Sequence, residues 1–315
     1  MSKPKVYIDG QEGTTGLQID HRLGERDDIE LLRIDPDKRK DVEERKKLLN
    51  AAGLVFLCLP DAAAREAVSL VTNEHTRIID CSTAHRTAPG WVYGFGELTG
   101  QREQIKAAKR VANPGCYATG FIALIRPLVE KGVLSGSAKL CCHALSGYTG
   151  AGKKGVAQYE DPAREVELDS PRHYAVTLSH KHLPEMAAVT GLDRPPLFMP
   201  IICDFPQGMV VTVPLWGEDL SGRQTTDSLR SLYSDYYGDS PVVKLRPADA
   251  PKCGFIGSNN LAGKDGLQIF VNGNGENFLL TARLDNLGKG ASGAAVQNMN
   301  LMLGFEETKG LNLNA

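Results

Sequence analysis

The stretch Gly10-Gln11-Glu12-Gly13-Thr14-Thr15-Gly16 decides the fold of the first part of the chain. It follows an apolar strand, Lys5 to Ile8, and precedes a helical segment from about Leu17 to Leu23 and a second strand from Ile29 to Ile34. A strand, a glycine loop and a helix N-terminus in this order allow backbone N–H groups and the helix dipole to hold a pyrophosphate. The spacing is G-x-x-G-x-x-G rather than the commoner G-x-G-x-x-G. This interpretation therefore depends largely on the strands that flank the loop. The residues predicted to contact a dinucleotide cofactor are Gly10, Gly13, Thr14, Thr15 and Gly16.

The chain after this loop alternates between helices and strands. A polar helix from Asp41 to Ala52, an apolar run from Gly53 to Pro60, a helix from Ala62 to Thr72 and a strand from Arg77 to Cys81 follow in turn. An almost uninterrupted apolar run suits a strand that is buried on both faces of a parallel sheet. The alternation therefore predicts a Rossmann-type, doubly wound α/β domain, which binds its ligand at the carboxyl ends of the strands.

Charged residues after the second strand indicate which nicotinamide cofactor binds. Arg33, Lys38 and Arg39 are able to hold a 2′-phosphate, whereas Asp35 is able to accept hydrogen bonds from a free 2′-hydroxyl. The basic cluster favours NADP, and we assign Arg33 and Lys38 to it. Ser82, at the end of a later strand, is a further candidate for cofactor binding.

A second stretch, Asn113-Pro114-Gly115-Cys116-Tyr117-Ala118-Thr119-Gly120, brings a turn and a cysteine to the start of a helix. Pro114 and Gly115 break the preceding apolar run, and Ala118 to Val129 has apolar residues at helical spacing. A thiolate at a helix N-terminus is stabilised by the helix dipole and by unpaired N–H groups, so its pKa is lowered. Cys116 is therefore the predicted nucleophile.

Two histidines in Ser179-His180-Lys181-His182-Leu183-Pro184-Glu185-Met186 are candidates for the acid–base partner of that cysteine. Histidine titrates near neutrality, and Glu185 is placed to orient an imidazole. We prefer His180 and keep His182 as the reserve; if the stretch is extended, one of them faces the sulfur and the other faces away. No HExxH motif or cysteine pair accompanies them, so no metal site is predicted.

Beyond Cys116 the pattern changes to longer strands, at Lys139 to Ser146, Leu197 to Cys203 and Gly208 to Leu215. We predict an α+β catalytic and dimerisation domain with a mainly antiparallel sheet. The segment from Gly147 to Gly155 is interpreted as a flexible basic loop, which either closes over an anionic substrate or is simply a surface loop. The residues predicted to bind substrate are Arg86, whose guanidinium is able to clamp an anion, with Asn113, Tyr148, Lys153 and Glu185.

The last block, Asp285 to Asn300, is rich in glycine and alanine and is predicted to be a helix that packs closely on a neighbour. If that neighbour is the nucleotide domain, Asn286 lies near the nicotinamide, and Lys289 is a further cofactor-binding candidate. The predicted division is residues 1–115 as the NADP-binding domain, completed by a helix at 286–305, and residues 116–285 as the catalytic and oligomerisation domain.

The composition narrows the class of protein. The 315 residues carry a net charge of −2, which gives no reason to expect a nucleic-acid partner. No apolar run reaches the length of about 18 residues that a bilayer requires, and the first strand leaves no room for a signal peptide. The seven cysteines lack paired metal-ligand spacing, so reduced thiols are expected. We expect a cytoplasmic protein with no membrane partner.

Four blocks together carry a family resemblance: GQEGTTG, NPGCYATG, SHKHLPEM and DNLGKGASGAAVQNMN, in this order. With them the chain closely resembles the N-acetyl-gamma-glutamyl-phosphate reductases of arginine biosynthesis, in their shorter form, and more broadly the aspartate-semialdehyde dehydrogenase-like superfamily. The resemblance implies Cys116 as the nucleophile, NADP held by the glycine loop and by residues 286–297, and a cytoplasmic homodimer or homotetramer. Many members have His-Arg-His where this chain has His180-Lys181-His182, so no guanidinium role is carried over to position 181.

The implied activity is that of an NADP-dependent, aldehyde-forming oxidoreductase. It would reduce N-acetyl-glutamyl 5-phosphate, its small-molecule acyl-phosphate substrate, to N-acetyl-glutamate 5-semialdehyde and phosphate through a thioester on Cys116. Two alternatives stay open: a reductase of a related acyl phosphate such as aspartyl phosphate, and a non-catalytic protein that senses NADP and uses the cysteine structurally.

Overall fold

The computed structural model describes residues 3–251 and 253–313. The chain divides into two compact units. Unit 1 contains the residues up to Pro114 together with Ala291–Leu311, and unit 2 contains Gly115–Gly290 together with the residues from Asn312 onward. No described helix has both the length and the apolar character that crossing a membrane requires.

The elements are numbered in chain order. The strands are β1 Lys5–Asp9, β2 Glu30–Leu32, β3 Leu54–Leu57, β4 Arg77–Asp80, β5 Val92–Tyr93, β6 Arg110–Ala112, β7 Cys141–Gly147, β8 Arg172–His173, β9 Leu197–Cys203, β10 Met209–Trp216, β11 Val243–Leu245, β12 Leu267–Gly273 and β13 Asn277–Leu284. The α-helices are α1 Thr14–Gly24, α2 Val42–Ala51, α3 Asp61–Leu70, α4 Gln101–Ala107, α5 Cys116–Glu130, α6 Gly152–Tyr159, α7 Leu183–Thr190, α8 Thr226–Tyr237 and α9 Gly293–Leu303.

Unit 1 is built on a parallel sheet with the strand order β2-β1-β3-β4-β6-β5. All of its neighbouring strands run parallel. Successive residues of β1 point to opposite faces, so Val6 and Ile8 join one apolar cluster and Tyr7 joins the other. Burial on both faces explains the apolar runs. Strand β2 lies on one side of β1, and β3 lies on the other. A doubly wound sheet binds its ligand at this point, where the strand order reverses.

Unit 2 is built on a mixed sheet with the strand order β11-β12-β13-β10-β7-β9-β8. Its pairings are antiparallel except β11 with β12 and β7 with β9. Helix α5 lies against one face of this sheet, where a Cβ built on Gly120 would be 2.6 Å from a methyl group of Val211. A parallel doubly wound sheet and a second, mainly antiparallel sheet confirm the predicted fold class.

Helix α5 contains Pro127, which has no N–H to donate to the carbonyl of Ala123. The hydroxyl of Tyr237, on α8, donates to that carbonyl at 3.0 Å. The hydroxyl of Tyr233, one turn earlier on α8, donates to the next carbonyl, that of Leu124. Helix α8 therefore supplies by side chains a bond that the backbone of α5 lacks.

Two segments differ from the sequence-based predictions. The expected flexible loop at 147–155 is instead a 3₁₀ turn, Tyr148–Ala151, followed by α6. Tyr148 and Tyr159 stack with ring centroids 4.8 Å apart and pack on Leu168, and this burial outweighs the low helix propensity of the glycines.

The C-terminal helix also begins later than residue 286. A π-helical turn occupies Gly288–Ser292, and α9 starts only at Gly293. The carboxylate of Asp285 accepts the backbone N–H groups of Leu287 and Gly288 at 2.7 and 3.0 Å, which fixes a turn where a helix was expected.

Candidate active site

The glycine loop of unit 1 is closely wound because its glycines leave no space for side chains. Gly10 has φ +88°, and a Cβ on Gly16 would be 2.4 Å from the carbonyl oxygen of Gly10. Gly13 caps α1 without a side-chain hydrogen bond, and no acidic residue lies in the first turn. The N–H groups of a first helical turn have no partners within the helix. The start of α1 is therefore suited to bind an anion.

A cavity of about 160 Å³ lies at this helix start, lined by Gly13, Thr14, Thr15, Gly16, Cys58, Leu59 and Cys81. A larger cavity of about 760 Å³ follows the ends of β1 and β2 and reaches from Tyr7 to Glu12 on one side and from Pro36 to Lys40 on the other. Their position at the carboxyl ends of the central strands, together with the close-packed loop, fits the pyrophosphate and adenosine of a dinucleotide.

The charged residues near the larger cavity are only partly those expected. The guanidinium of Arg33 turns away to form an ion pair with Asp20 at 2.8 Å, and Lys38 is exposed and does not line the cavity. Arg39 and Lys40 do line it, and Arg39 is ion-paired with Glu12. The residues that the structure places by the cavity are thus the next two basic residues of the same run.

Asp35 is not positioned as a ribose acceptor. Its carboxylate accepts the N–H of Asp37 at 3.0 Å and caps the 3₁₀ turn Pro36–Lys38. The carboxylate at the end of β1, Asp9, is buried in an ion pair with Arg45 at 2.9 Å.

Ser82 and Arg86, the cofactor-binding and substrate-binding candidates that follow β4, form hydrogen bonds with other residues of unit 1. The hydroxyl of Ser82 donates to Asp80 at 2.8 Å, and the same buried carboxylate lies 2.6 Å from Nδ1 of His85. Arg86 donates to the carbonyl oxygens of Asn113 and Cys81, at 3.0 and 3.3 Å, which ties the ends of two neighbouring strands together.

Cys116 is the first residue of α5, in unit 2, and is half-buried. The residue before it is fixed from α7, because the carboxylate of Glu185 accepts the N–H of Gly115 at 3.2 Å. On another side lies Gly290, where an added Cβ would be 2.8 Å from the Cβ of Cys116. The cysteine is therefore held at the start of a 15-residue helix between two tight contacts.

Both candidate histidines lie beside Tyr117, the residue that follows Cys116 in the chain. The ring of Tyr117 is 5.9 Å from the ring of His180 and 5.9 Å from that of His182, centroid to centroid. The two imidazoles are only 4.7 Å apart. Opposite facing was expected only if this stretch is extended, and that condition is not met: the segment is a turn, and His182 has helical dihedral angles and caps α7.

The local hydrogen bonds select a tautomer for His180. Its Nδ1 accepts the backbone N–H of His182 at 3.1 Å, so Nε2 carries the proton in the neutral ring. Nε2 lies 3.5 Å from the hydroxyl oxygen of Tyr174. With the proton on Nε2, the imidazole is the donor towards the Tyr174 oxygen.

The phenols in this cluster remain protonated. Burial raises the pKa of Tyr117 and of Tyr174, and the nearby charge of Cys116 raises both further. The rings of Tyr117 and Tyr174 lie near each other, with centroids 6.3 Å apart. Sequence reasoning missed Tyr174, since it stands in a polar segment with no motif around it, and only the fold brings it to the cysteine.

The remaining predicted residues are placed as follows. Asn286 accepts the N–H of Gly208 and donates to Thr149, both at 2.9 Å, so its amide is engaged inside unit 2. Lys289 is buried in the same unit. The amide of Asn113, in unit 1, donates to the carbonyl of Ala291 at 3.0 Å.

Of the last two substrate candidates, Tyr148 is buried in the stack with Tyr159, and Lys153 is exposed on α6. Unit 2 thus brings together Cys116, His180, His182 and Glu185. Within residues 3–251 and 253–313, no cluster of three or more histidine, cysteine or acidic side chains is placed to hold a metal ion.

Two family models match the chain. Residues 5–108 match "Semialdehyde dehydrogenase, NAD binding domain", and residues 116–286 match "Semialdehyde dehydrogenase, dimerisation domain". The first match contains the glycine loop and the second contains the cysteine and both histidines.

Curated relatives are similar over almost their whole length. The chain is 48% identical to N-acetyl-gamma-glutamyl-phosphate reductase 2 of Nostoc sp., over 99% of this chain and 100% of the relative. It is 50% identical to the N-acetyl-gamma-glutamyl-phosphate reductase of Brucella anthropi, over 96% of this chain and 99% of the relative.

Solved structures share the fold at low sequence identity. The aspartate semialdehyde dehydrogenase II of Vibrio cholerae, complexed with ASA, aligns with a TM-score of 0.72 at 15% identity, over 96% of this chain and 99% of that one. The aspartate semialdehyde dehydrogenase of Francisella tularensis aligns with a TM-score of 0.69 at 12% identity, over 94% and 99% of the two chains.

Proposed function

Because the chain belongs to the N-acetyl-gamma-glutamyl-phosphate reductase family of the semialdehyde dehydrogenases, we propose that it reduces N-acetyl-glutamyl 5-phosphate to N-acetyl-glutamate 5-semialdehyde in arginine biosynthesis. The observation that carries the proposal is the position of Cys116 at the start of α5, where the next residue, Tyr117, contacts an imidazole pair and the buried phenol of Tyr174 is close enough to be influenced by Cys116. We assign the protein to the cytoplasm, as its reduced cysteines suggest.

The first chemical step in this proposal belongs to Cys116. Its thiolate attacks the acyl carbon, a carbon–sulfur bond forms, and the carbon–oxygen bond to phosphate breaks. The phosphate leaves with that electron pair and takes up a proton. The helix dipole at the start of α5 favours the thiolate over the thiol. Glu185, through the N–H of Gly115, and Gly290, through its contact with Cys116, keep the nucleophile in place.

His180 has the second role. When the thioester is reduced, negative charge develops on its carbonyl oxygen, and a donor already in position stabilises that charge. The Nε2–H of His180 is such a donor, because the backbone N–H of His182 occupies the other ring nitrogen. The oxyanion then collapses to the aldehyde and releases the Cys116 thiolate. His182, which is buried beside it, is the reserve candidate for proton exchange.

NADPH is the proposed cofactor, and when bound it supplies the hydride for this reduction. The glycine loop with Thr14 and Thr15 would hold its pyrophosphate. Arg39 and Lys40 would hold the 2′-phosphate, since they line the cavity and Asp35 is occupied as a cap. These two replace Arg33 and Lys38 in our assignment.

We also propose that the protein forms a homodimer, or a homotetramer built from two such dimers. The dimer would form through the uncovered face of the sheet in unit 2. Cys141 pairs with Leu197 on β9, and Pro214 pairs with Leu279 on β13, so these side chains point the same way within each pair. Leu197, Leu279 and Trp216 are 54%, 42% and 64% exposed. Apolar side chains in this number on one sheet face favour burial by a second copy.

The test is an assay in the reverse direction with N-acetylglutamate semialdehyde, phosphate and NADP, with aspartate semialdehyde as the competing substrate. We expect turnover only with the acetylated substrate, and none in Cys116→Ser, which should still bind NADPH. Equal turnover of aspartate semialdehyde would overturn the substrate assignment. Turnover by Cys116→Ser would overturn the thioester.

A further inference from the structure

Two cysteines that the mechanism does not use lie side by side next to the glycine loop. Cys58 follows β3 and Cys81 follows β4, and the last paired residues of these parallel strands are Leu57 and Asp80. The next position on each strand therefore puts the two cysteines opposite one another, and both side chains pack against the same apolar cluster of unit 1. Both are reduced, both are half-buried, and both line the cavity of about 160 Å³ at the start of α1.

The backbone geometry permits a bond between them. Directly opposite residues on neighbouring strands have Cα atoms about 4.8 Å apart, which lies within the range of about 4.4–6.8 Å that disulfides span. Cys141 and Cys142, which are adjacent in sequence, provide the contrast. They alternate across β7, where Cys142 is fully buried and Cys141 is half-buried, so their sulfurs point to opposite faces.

We propose that Cys58 and Cys81 form a reversible disulfide that switches off cofactor binding at the glycine loop. The oxidant is a peroxide. The Cys58 sulfur attacks one oxygen of hydrogen peroxide and becomes a sulfenic acid with release of water; the Cys81 sulfur then displaces hydroxide from that sulfenic acid, and a second water forms. In total, two thiols lose two electrons and two protons to one peroxide, which becomes two waters. A dithiol reductant reverses the reaction by thiol–disulfide exchange.

The pKa of Cys81 assigns the two roles. The neighbouring Cys58 and burial raise the pKa of Cys81, so Cys81 stays a thiol. The attack on a peroxide is made by a thiolate and not by a thiol. Cys58 is therefore the attacking thiol, and Cys81 resolves the sulfenic acid.

The link to the cofactor is the backbone of Cys58. A Cβ on Gly10 would be 2.4 Å from the carbonyl oxygen of Cys58, and the N–H of Cys58 donates to the carbonyl of Asp9 at 2.8 Å. The glycine loop thus rests directly on the residue that a disulfide would pull towards β4. The new bond would also lie in the cavity wall where the pyrophosphate is proposed to bind. Oxidation and cofactor binding should therefore oppose each other.

This inference rests on the proposed NADPH site, and the experiment separates the two. The full-length Cys116→Ser protein, which removes the catalytic thiol, is treated with hydrogen peroxide. Cross-linked peptides are then mapped by mass spectrometry without reduction, and NADPH affinity is measured by fluorescence titration before oxidation, after it, and after dithiothreitol. We expect a Cys58–Cys81 peptide and a loss of affinity of about tenfold or more that dithiothreitol restores. Bound NADPH should disfavour the disulfide by the same factor, because the coupling is reciprocal.

In this background, the NADPH affinity of Cys58→Ser and of Cys81→Ala, each compared with the same variant before oxidation, should not respond to peroxide, while that of Cys141→Ser should. A protein that binds NADPH but forms no Cys58–Cys81 peptide, or that forms it with unchanged affinity, contradicts the inference. A protein that forms the disulfide but never binds NADPH contradicts the proposed function instead. Phenylarsine oxide, which bridges two close thiols, should be captured by Cys58 and Cys81 together, and failure to capture it would contradict their contact without depending on oxidation.

Discussion

Gly290 lies against Cys116 so closely that a Cβ on the glycine would be 2.8 Å from the Cβ of the cysteine. Gly290→Ala must therefore displace the nucleophile or the π-helical turn. A misplacement of about 1 Å lowers turnover by about 10²-fold, and we expect a loss of that size in kcat. Gly266→Ala is the matched control in unit 2, because its added Cβ would meet only the carbonyl of Val242 at 3.5 Å. Normal kcat in Gly290→Ala would mean that the contact has no catalytic importance.

Cys116 should be the first of the seven thiols to be alkylated, because it alone stands at the start of a long helix. Limiting iodoacetamide followed by peptide mass mapping measures the order of labelling. Cys142 should be among the last, since burial raises its pKa well above the ordinary value. Faster labelling of Cys58 or Cys203 than of Cys116 would refute the assignment of the nucleophile.

Removing the His180 imidazole should lower turnover without weakening NADPH binding. We expect His180→Asn to lose about 10²–10⁴-fold in kcat, because the donor for the developing oxyanion is gone. Tyr174→Phe should lose less, since the imidazole keeps its bond to the backbone of His182. Stopped-flow single-turnover kinetics separate the chemical step from binding. If His182→Asn is the inactive variant and His180→Asn is not, the two roles must be exchanged.

Glu185 should act by positioning. Glu185→Ala leaves the buried N–H of Gly115 without its acceptor, which costs about 1–3 kcal/mol of stability. Glu185→Gln keeps an oxygen acceptor and should recover most of that loss in the free energy of unfolding, measured with urea. NADPH affinity should be unchanged in both variants. If Glu185→Ala is as stable as the parent protein and only KM for the acyl phosphate rises, Glu185 binds substrate, as the sequence suggested.

The choice between NADPH and NADH should depend on Arg39 and Lys40. Charge-assisted hydrogen bonds contribute about 1.5–3 kcal/mol, so each alanine substitution should weaken NADPH binding by about 10–100-fold and leave NADH binding nearly unchanged. Isothermal titration with both cofactors measures this. Arg33→Ala is the control, because its guanidinium turns to Asp20 and does not line the cavity. Equal affinity of the parent protein for both cofactors would remove the basis for a 2′-phosphate site here.

The parts of the fold that were predictable are those whose pattern reports burial directly. The apolar run at Gly53 to Pro60 predicted β3 because both sheet faces are covered, and the break at Pro114 and Gly115 predicted that a helix, α5, starts near Cys116. The segment at 147–155 was not predictable in this way. Its helix depends on a tyrosine stack whose second ring is supplied by Tyr159, beyond the glycines that suggested a loop.

The same limit applies to the candidate site. Cys116 and the two histidines could be identified as catalytic candidates from the sequence, because the residues around them form recognisable blocks. The relation between the histidines was not, because it depends on a turn at the start of α7 that a pair two residues apart does not encode. Tyr174 was missed for a similar reason: only β8 pairing with β9 brings its segment to the cluster.

The hydrogen bonds from the tyrosines of α8 to the carbonyls of α5 affect the order in which unit 2 folds. Pro127 leaves the carbonyl of Ala123 without a local donor, and Tyr237 reaches it only after the intervening strands β7 to β10 have been made. During synthesis the nucleophile's helix therefore leaves the ribosome long before the residue that completes its hydrogen bonds. A nascent or truncated chain that ends before α8 would carry Cys116 on an unfinished helix, so the reactive thiol should acquire its final environment late in folding.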